Sequence, residues 1–297
     1  MIRSEHPIAA SDPAQTGLQR AEDGKMWLDC RFRSELEAAG LAGFNAVMTT
    51  SAGECLRVLE DRENWRLQLH AARHTARRVY LKRHHVRTWR SRLQAKLGFG
   101  TPETAGRTEA QNIRRLAAHG IACTDLVAYG EDLRPDGWLE SFVLTEALEG
   151  YQPLDDFLRE RFPASRPPCP GTPDRDLRRL IGKVAAVARR LHDAGYNHRD
   201  LYCCHFFVRE AADGRLQVKL IDLQRVEHRR RFRRRWLVKD LAQLAYSAPK
   251  DRIKRTHRLA FMRYYLGVRR LRPGDKRLVR AVLAKQQWME RREGPAG

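Results

Sequence analysis

The sequence predicts an α+β protein of two lobes, strand-rich first and helical second. Three observations predict it. Runs of β-branched and aromatic residues separated by turns fill the first half. Apolar residues at 3-4 spacing fill "PDRDLRRLIGKVAAVARRLHDAG" in the second. The character changes at Glu149-Gly150, so the two halves join near residue 147.

In chain order, residues 1–25 read as a flexible polar tail. "MWLDCRFRSELEAAGL" reads as a short helix. "GFNAVMTT", "LRVLEDRENWRLQL" and "RRVYLKRHH" read as three antiparallel strands, with "SAGE" as a turn. A basic, poorly periodic insertion follows over about 84–106. "TEAQNIRRLAAHGI" is helical, with Ile113, Leu116 and Ala117 on one face and Gly120 at its end. "CTDLVAYGE" and "ESFVLTEAL" are strands around "RPDG", and they complete a first lobe of residues 26–147.

The second lobe, 148–297, begins with the helix "LDDFLRERF" and a Pro-rich connector. In the long helix after it, Leu177, Leu180, Ile181, Val184, Val187 and Leu191 share a face, and Gly195 stops it. "FFVRE" and "LQVKLIDL" form a hairpin across "ADGR". "VKDLAQLAYSA" and "RLAFMRYYLG" are helical.

Composition narrows the function classes. With 297 residues and 42% hydrophobic content, the chain can bury a core and is not a disordered polycation. Its net charge of +21 attracts phosphate-rich partners: nucleic acid, anionic lipid headgroups or phosphorylated glycolipids. Six scattered cysteines without a CxxC pair (Cys30, Cys55, Cys123, Cys169, Cys203, Cys204) indicate reduced thiols in a cytosol. The first residues lack an apolar signal core. No run approaches the roughly 18 apolar residues of a membrane helix, so a soluble or peripheral protein is expected.

"YNHRDLYCCHFFV" carries the chemistry of interest. Phosphoryl transfer needs a cation on the nucleotide phosphates, carboxylates for Mg²⁺, and an acid that orients the attacking hydroxyl. Lys82 lies in a strand, and Glu109 near the start of the next helix can pair with it. Asp200 follows His198 and Arg199 after the long helix, and Asp222 ends the apolar strand "KLIDLQ". Each has a plain alternative: a solvated lysine, a glutamate favouring its helix N-terminus, a chance HRD triplet, a strand-end cap. Their order and their lobes make the set more than its members. A zinc site at Cys203, Cys204 and His205 is disfavoured, because zinc ligands usually come in spaced pairs.

The stretches "RTEAQNIRRLAAHGI", "VAYGE", "SFVLTEAL", "NHRDLYCCHF", "LIDLQRV" and "RRRWLVKDLAQL" resemble the lipopolysaccharide core heptose kinase family. This family is WaaP/InaA-type, related to Kdo kinases and part of the protein-kinase-like superfamily. The resemblance implies a bilobal protein-kinase-like fold. It implies ATP- and Mg-dependent phosphorylation of a heptose in the lipopolysaccharide inner core, at the cytoplasmic face of the inner membrane. The acceptor is then a lipid A-core glycolipid. By the same resemblance Lys82 contacts phosphate, Glu109 is its helix partner, Asp200 is the base and Asp222 the metal carboxylate. Glu146 to Leu148 form the adenine hinge, and Asp240 buttresses the loop of His198 and Arg199.

Departures from ordinary protein kinases are specific. His205 stands where a metal-binding Asn is usual, five after Asp200, and either ligates metal, contacts phosphate or holds the loop. "DLQ" replaces DFG, and Gly53 is the one glycine of "TTSAGECLRV". "HRRRFRRRW" supplies Arg229, Arg230, Arg231, Arg233, Arg234 and Arg235. These arginines, with Arg87, Arg90 and Arg92, are expected to grip the anionic glycolipid and the inner-membrane surface. No specific nucleic acid is expected. A Kdo, other sugar or protein kinase of the same fold, or a basic membrane- or nucleic-acid-binding pseudokinase, is the alternative.

Overall fold

The computed structural model describes residues 17–70, 76–98, 101–163, 172–229, 231 and 233–293. They divide into one unit of Met1–Arg115 with Asp125–Glu146 and another of Leu116–Thr124 with Ala147–Gly297. The first contains β1 (Leu18–Arg20), β2 (Met26–Asp29), α1 (Arg33–Ala38), α2 (Phe44–Thr49), β3 (Glu54–Val58), β4 (Arg62–His70) and β5 (Ala76–Val86). It continues through α3 (Trp89–Leu97), most of α4 (Ala105–Ala118), β6 (Leu126–Leu133) and β7 (Leu139–Glu146).

Period-two burial makes the sheet. Leu67 and Leu69 of β4 and Val79 and Leu81 of β5 point to one face and are fully or almost fully buried. Seven antiparallel strands run in the order β1-β2-β6-β7-β5-β4-β3. Phe32, Leu36, Phe44, Val47 and Phe142 complete the core on that face. α4 approaches β7 so closely at Gly106 that a Cβ there would lie 2.5 Å from the Phe142 carbonyl oxygen. Glycine is required by contact, not by dihedral angle.

Leu18–Arg20, inside the expected tail of residues 1–25, is strand β1, and Trp89–Leu97, inside the expected insertion of about 84–106, is helix α3. Residues 1–16 of that tail lie outside the described residues. Three further element assignments differ from the sequence expectation. "GFNAVMTT" is helix α2, not a strand. Phe44, Val47 and Met48 sit at helical spacing and are all buried, so packing overrides the β-propensity of Phe44 and Val47. Buried Arg83 then donates to the Val47 carbonyl at 3.0 Å and to that of Thr50, satisfying carbonyls the helix leaves open. Second, the helix expected over "MWLDCRFRSELEAAGL" starts only at Arg33. Met26 and Leu28 alternate inward as β2 against β6. Third, "LRVLEDRENWRLQL" is two strands, because Leu59 donates to the Arg62 carbonyl at 2.8 Å and closes a hairpin over Glu60-Asp61.

The second unit contains β8 (Gln152–Pro153), α5 (Leu154–Arg161), α6 (Thr172–Asp193), β9 (Tyr196–Asn197), β10 (Phe206–Glu210), β11 (Leu216–Leu220) and β12 (Glu227–His228). α7 (Arg233–Ser247), α8 (Arg255–Leu266) and α9 (Pro273–Glu293) end it. Leu177, Leu180, Ile181, Val184, Ala185, Ala188 and Leu191 bury one stripe of α6, which packs on α8. Gly195 stops α6 at φ +86°, and a Cβ there would meet His228 Nε2 at 2.7 Å. No helix among the described residues is long and apolar enough to cross a membrane.

Candidate functional site

In the first unit β5 carries Lys82 between Asn64 of β4 and Val143 of β7. Its ammonium donates to both oxygens of Glu109, at 2.9 and 3.1 Å. Glu109 is 1% exposed, so its charge is compensated by that lysine rather than by water. α4 is held in place at its start. Thr104 accepts from the Arg107 backbone N–H at 3.2 Å and donates to Glu131 at 2.9 Å, and Arg107 pairs with Glu131 at 2.7 Å. Burial raises the Glu131 carboxyl above its ordinary range, against the pull of Thr104 and Arg107.

In the second unit the irregular backbone from Asn197 to Cys203 is held by one face of α7. Asp240, Gln243 and Ser247 occur at helical spacing, and each caps a different part of the loop. Asp240 is fully buried and accepts from the backbone N–H of His198 at 2.7 Å and of Arg199 at 2.9 Å. Asn197 Nδ2 lies 3.5 Å from the same carboxylate and His192 Nε2 3.2 Å. Tyr265 completes the chain at 2.9 Å from His192 Nδ1. Gln243 accepts from Leu201 N–H at 3.3 Å, and Ser247 from Cys203 N–H at 2.8 Å. Arg199 adopts φ +71°, a left-handed conformation that a non-glycine residue keeps only when its surroundings over-determine it.

Asp200 emerges from this clamp and pairs with Arg225 at 2.7 Å. Asp222, just past β11, is the other left-handed non-glycine residue among those described, at φ +56°. Its Oδ2 lies 3.7 Å from His205 Nε2, while His205 Nδ1 sits 2.7 Å from the Asp200 carbonyl oxygen. His205 therefore bridges the Asp200 backbone and the Asp222 carboxylate. Burial opposes its charge, but hydrogen bonding to Cys204 and the Asp200 carbonyl, with the Asp222 charge, pushes it up to about 9. His198, wholly buried, is held below its ordinary value by that burial, with Nε2 3.1 Å from the Ile221 carbonyl oxygen.

Asp200, His205, Asp222, His198, Arg199 and Asp240 thus gather in one unit, and Lys82 and Glu109 in the other. At the expected hinge, Glu146 pairs with Arg77 at 3.1 Å, and the Leu148 carbonyl accepts from Tyr151 N–H at 3.1 Å. No three His, Cys, Asp or Glu side chains gather as a metal site among the described residues. In the arginine run, Arg229 pairs with Glu227, Arg233 donates to the His192 carbonyl, and Arg231, Arg234 and Arg235 are exposed. Arg230 lies outside the described residues.

Two residues beside the loop were not singled out from the sequence. Arg225 meets Asp200, and Lys239 donates to the Arg199 carbonyl while sensing the Asp200 charge. Burial lowers the Lys239 ammonium below its ordinary value. The signal was present in "DLQR" and "VKDL", three residues after Asp222 and one before Asp240, but both were hidden in an Arg/Lys-rich background.

Comparison with known proteins fits this arrangement. Residues 47–265 match the model of the lipopolysaccharide kinase (Kdo/WaaP) family. The lipopolysaccharide core heptose(I) kinase WaaP of Pseudomonas aeruginosa is 35% identical over 245 residues, covering 81% of this chain and 85% of that protein. The protein of the same name from Escherichia coli strain K12 is 32% identical over 219 residues, covering 73% and 78%. A solved structure described as WaaP in complex with acyl carrier protein matches with a TM-score of 0.64 at 29% identity, over 93% of this chain and 97% of that one. The fold is therefore the expected mixed α/β one, and membership of a kinase family makes the chain an ATP-using phosphotransferase. It belongs to the lipopolysaccharide kinase (Kdo/WaaP) family.

Proposed function

We propose that this chain transfers the γ-phosphoryl group of ATP to a heptose of the lipopolysaccharide inner core. The observation that carries the reading is the loop clamped by buried Asp240, which presents Asp200 beside Asp222 in a chain whose relatives are named heptose(I) kinases. Asp200 accepts the proton of the attacking hydroxyl and aligns its oxygen. Lys82, steadied by Glu109, contacts the nucleotide phosphates, and the Glu146–Leu148 backbone receives adenine.

Mg²⁺ suits this donor set. One carboxylate plus the substrate's own phosphates is its usual environment in such sites, and the Asp222 side chain is 44% exposed. Asp222 would hold the ion, which would neutralise developing phosphate charge. A His205 that donates through Nδ1 and carries a proton on Nε2 serves better as an orienting cation than as a ligand.

The decisive experiment is incubation with ATP and a panel of core-truncated lipopolysaccharides, read by mass spectrometry for one added phosphate. Gain on heptose-containing acceptors alone supports the reading; gain on Kdo-only acceptors, or on none, defeats it. Work at the cytoplasmic face of the inner membrane, with the exposed arginines of 229–235 on anionic lipid, is part of the proposal. Replacing all six arginines by Ser should weaken sedimentation with anionic liposomes.

A carrier-protein partner, absent from the sequence expectations, is favoured by one observation. The second unit contains an apolar cavity of about 420 Å³, lined by residues that include Leu180, Ile181, Val184, Leu244 and Met262. An acyl chain is the kind of guest such walls take, and the related structure is described with acyl carrier protein. Native mass spectrometry with acylated and unacylated carrier protein tests it: preference for the acylated form is expected.

A further inference from the structure

We propose that the outward face of α3 is a docking surface for an anionic lipid bilayer. The inference does not depend on which sugar is the acceptor. Most surface helices turn apolar residues to the core and polar ones to water. α3 does the reverse. Its inward side is led by Ser91, 2% exposed, which donates to the Gly137 carbonyl at 2.7 Å, with Gln94 half-buried beside it. Its outward side carries Trp89 (69% exposed), Leu93 (48%) and Leu97 (55%).

These three recur every four residues, so each is rotated by only about 40° from the last and they form a single stripe. Basic side chains border the stripe on both sides: Arg92 and Lys96 on one, Arg90 on the other. Arg90 stacks over the Trp89 ring at 5.3 Å. Trp138, 36% exposed and also in the first unit, is likewise stacked against a cation, Arg87 at 5.8 Å. A lone exposed leucine needs no explanation, but an apolar stripe with a tryptophan and cationic margins does.

Charge decides the occupant. A second copy of the chain would set these cations against their equals. Single-stranded nucleic acid rewards aromatic rings but gains nothing from Leu93 and Leu97. A bilayer surface takes both parts together: aliphatic side chains and Trp at the headgroup boundary, Arg and Lys on anionic phosphates. α3 lies in the first unit and the arginine run of residues 229–235 in the second.

The test is vesicle co-sedimentation without ATP, using phosphatidylglycerol–phosphatidylcholine vesicles and pure phosphatidylcholine vesicles. Wild type should prefer the anionic vesicles, and the triple variant Trp89→Ser/Leu93→Ser/Leu97→Ser should partition about tenfold less. The variant Arg90→Glu/Arg92→Glu/Lys96→Glu keeps the stripe and should lose the anionic preference; it decides the matter if the first variant does not fold. Wild-type-like binding by both variants overturns the proposal, as does equal wild-type binding to neutral vesicles. So does a stripe variant that instead abolishes self-association in sedimentation velocity, which would make the face a protein contact. Phosphorylation of a lipid-free core oligosaccharide is measured in parallel. Its absence in wild type strikes the kinase reading alone; its loss only in the stripe variant places the face in the active site and overturns docking.

Discussion

The two units hold their functional groups in opposite ways. In the first, Lys82 and Glu109 sit on regular elements, a central strand and a helix whose backbones satisfy themselves. The Lys82–Glu109 ion pair then helps to position both side chains. In the second, Asp200 and Asp222 stand on irregular backbone, with φ +71° at Arg199 and +56° at Asp222. Side chains of α7 must supply the hydrogen bonds that a strand or helix would have supplied. Irregular backbone can aim a carboxylate where regular structure cannot, but it depends on a buried clamp.

Breaking that clamp is expected to give the largest loss of stability. Asp240→Ala strands two backbone N–H groups and His192, at a cost of about 3–5 kcal/mol in a denaturant melt. Asp240→Asn retains one acceptor and should lose less. Asp200→Ala leaves the clamp intact, so phosphoryl transfer should fall by roughly 10²–10⁴-fold with an unchanged melting temperature. A melting temperature that falls as far as in Asp240→Ala would show that Asp200 belongs to the scaffold.

Proton linkage sharpens the comparison, because His84 in the first unit and His205 in the second should respond to pH with opposite signs. Burial holds His84 of the first unit down to about 4, led by desolvation and aided by the Lys82 charge. The unfolded chain binds a proton there from about pH 6.5 downward and the native state does not. Stability should therefore drain away between pH 6.5 and 4, by up to ~3 kcal/mol, and His84→Gln should flatten the slope. His205 in the second unit has the opposite sign. Raised to about 9, it contributes stability fully below its unfolded value, and that contribution is lost as pH rises through about 9. Melts of wild type and His205→Gln at pH 7 and 10 check this: the two should converge at the higher pH.

Smaller effects complete the contrast. Glu109→Gln removes one charge from a well-supported pair, so the KM for ATP should rise about tenfold with a modest change in melting temperature. Arg225→Ala breaks an ion pair whose arginine is 53% exposed, so less than about 1 kcal/mol of stability should be lost. Its readout is the pH profile of turnover rather than the melt.

What was legible in the residues follows from how local the signals are. Leu67/Leu69 and Val79/Leu81 alternate, the α6 stripe repeats at 3-4 spacing, and Gly195 ends it; each can be read within a few residues. The clamp was legible in part, because "NHRDLYCCHF", "LIDLQRV" and "VKDLAQL" are distinctive as strings. α2 was not, since Phe44, Val47 and Thr49 favour strands locally and become helical only as Phe44 and Val47 pack against the sheet. α3 looked aperiodic because its leucines and arginines share the outward side, so hydropathy cancels around the helix.

By itself, the sequence determined the strand-then-helix order, the strong positive charge and the identity of the carboxylates near the loop. These depend on short-range periodicity, on composition and on strings of a few residues. Only tertiary structure decided that Arg83 would close α2, that Arg225 and Lys239 would flank Asp200, and that α3 would turn its leucines outward. Each of those outcomes is a contact between residues far apart along the chain, or between a side chain and water. Which partner wins is set by burial and by unmet hydrogen bonds, and neither quantity exists until the chain is folded.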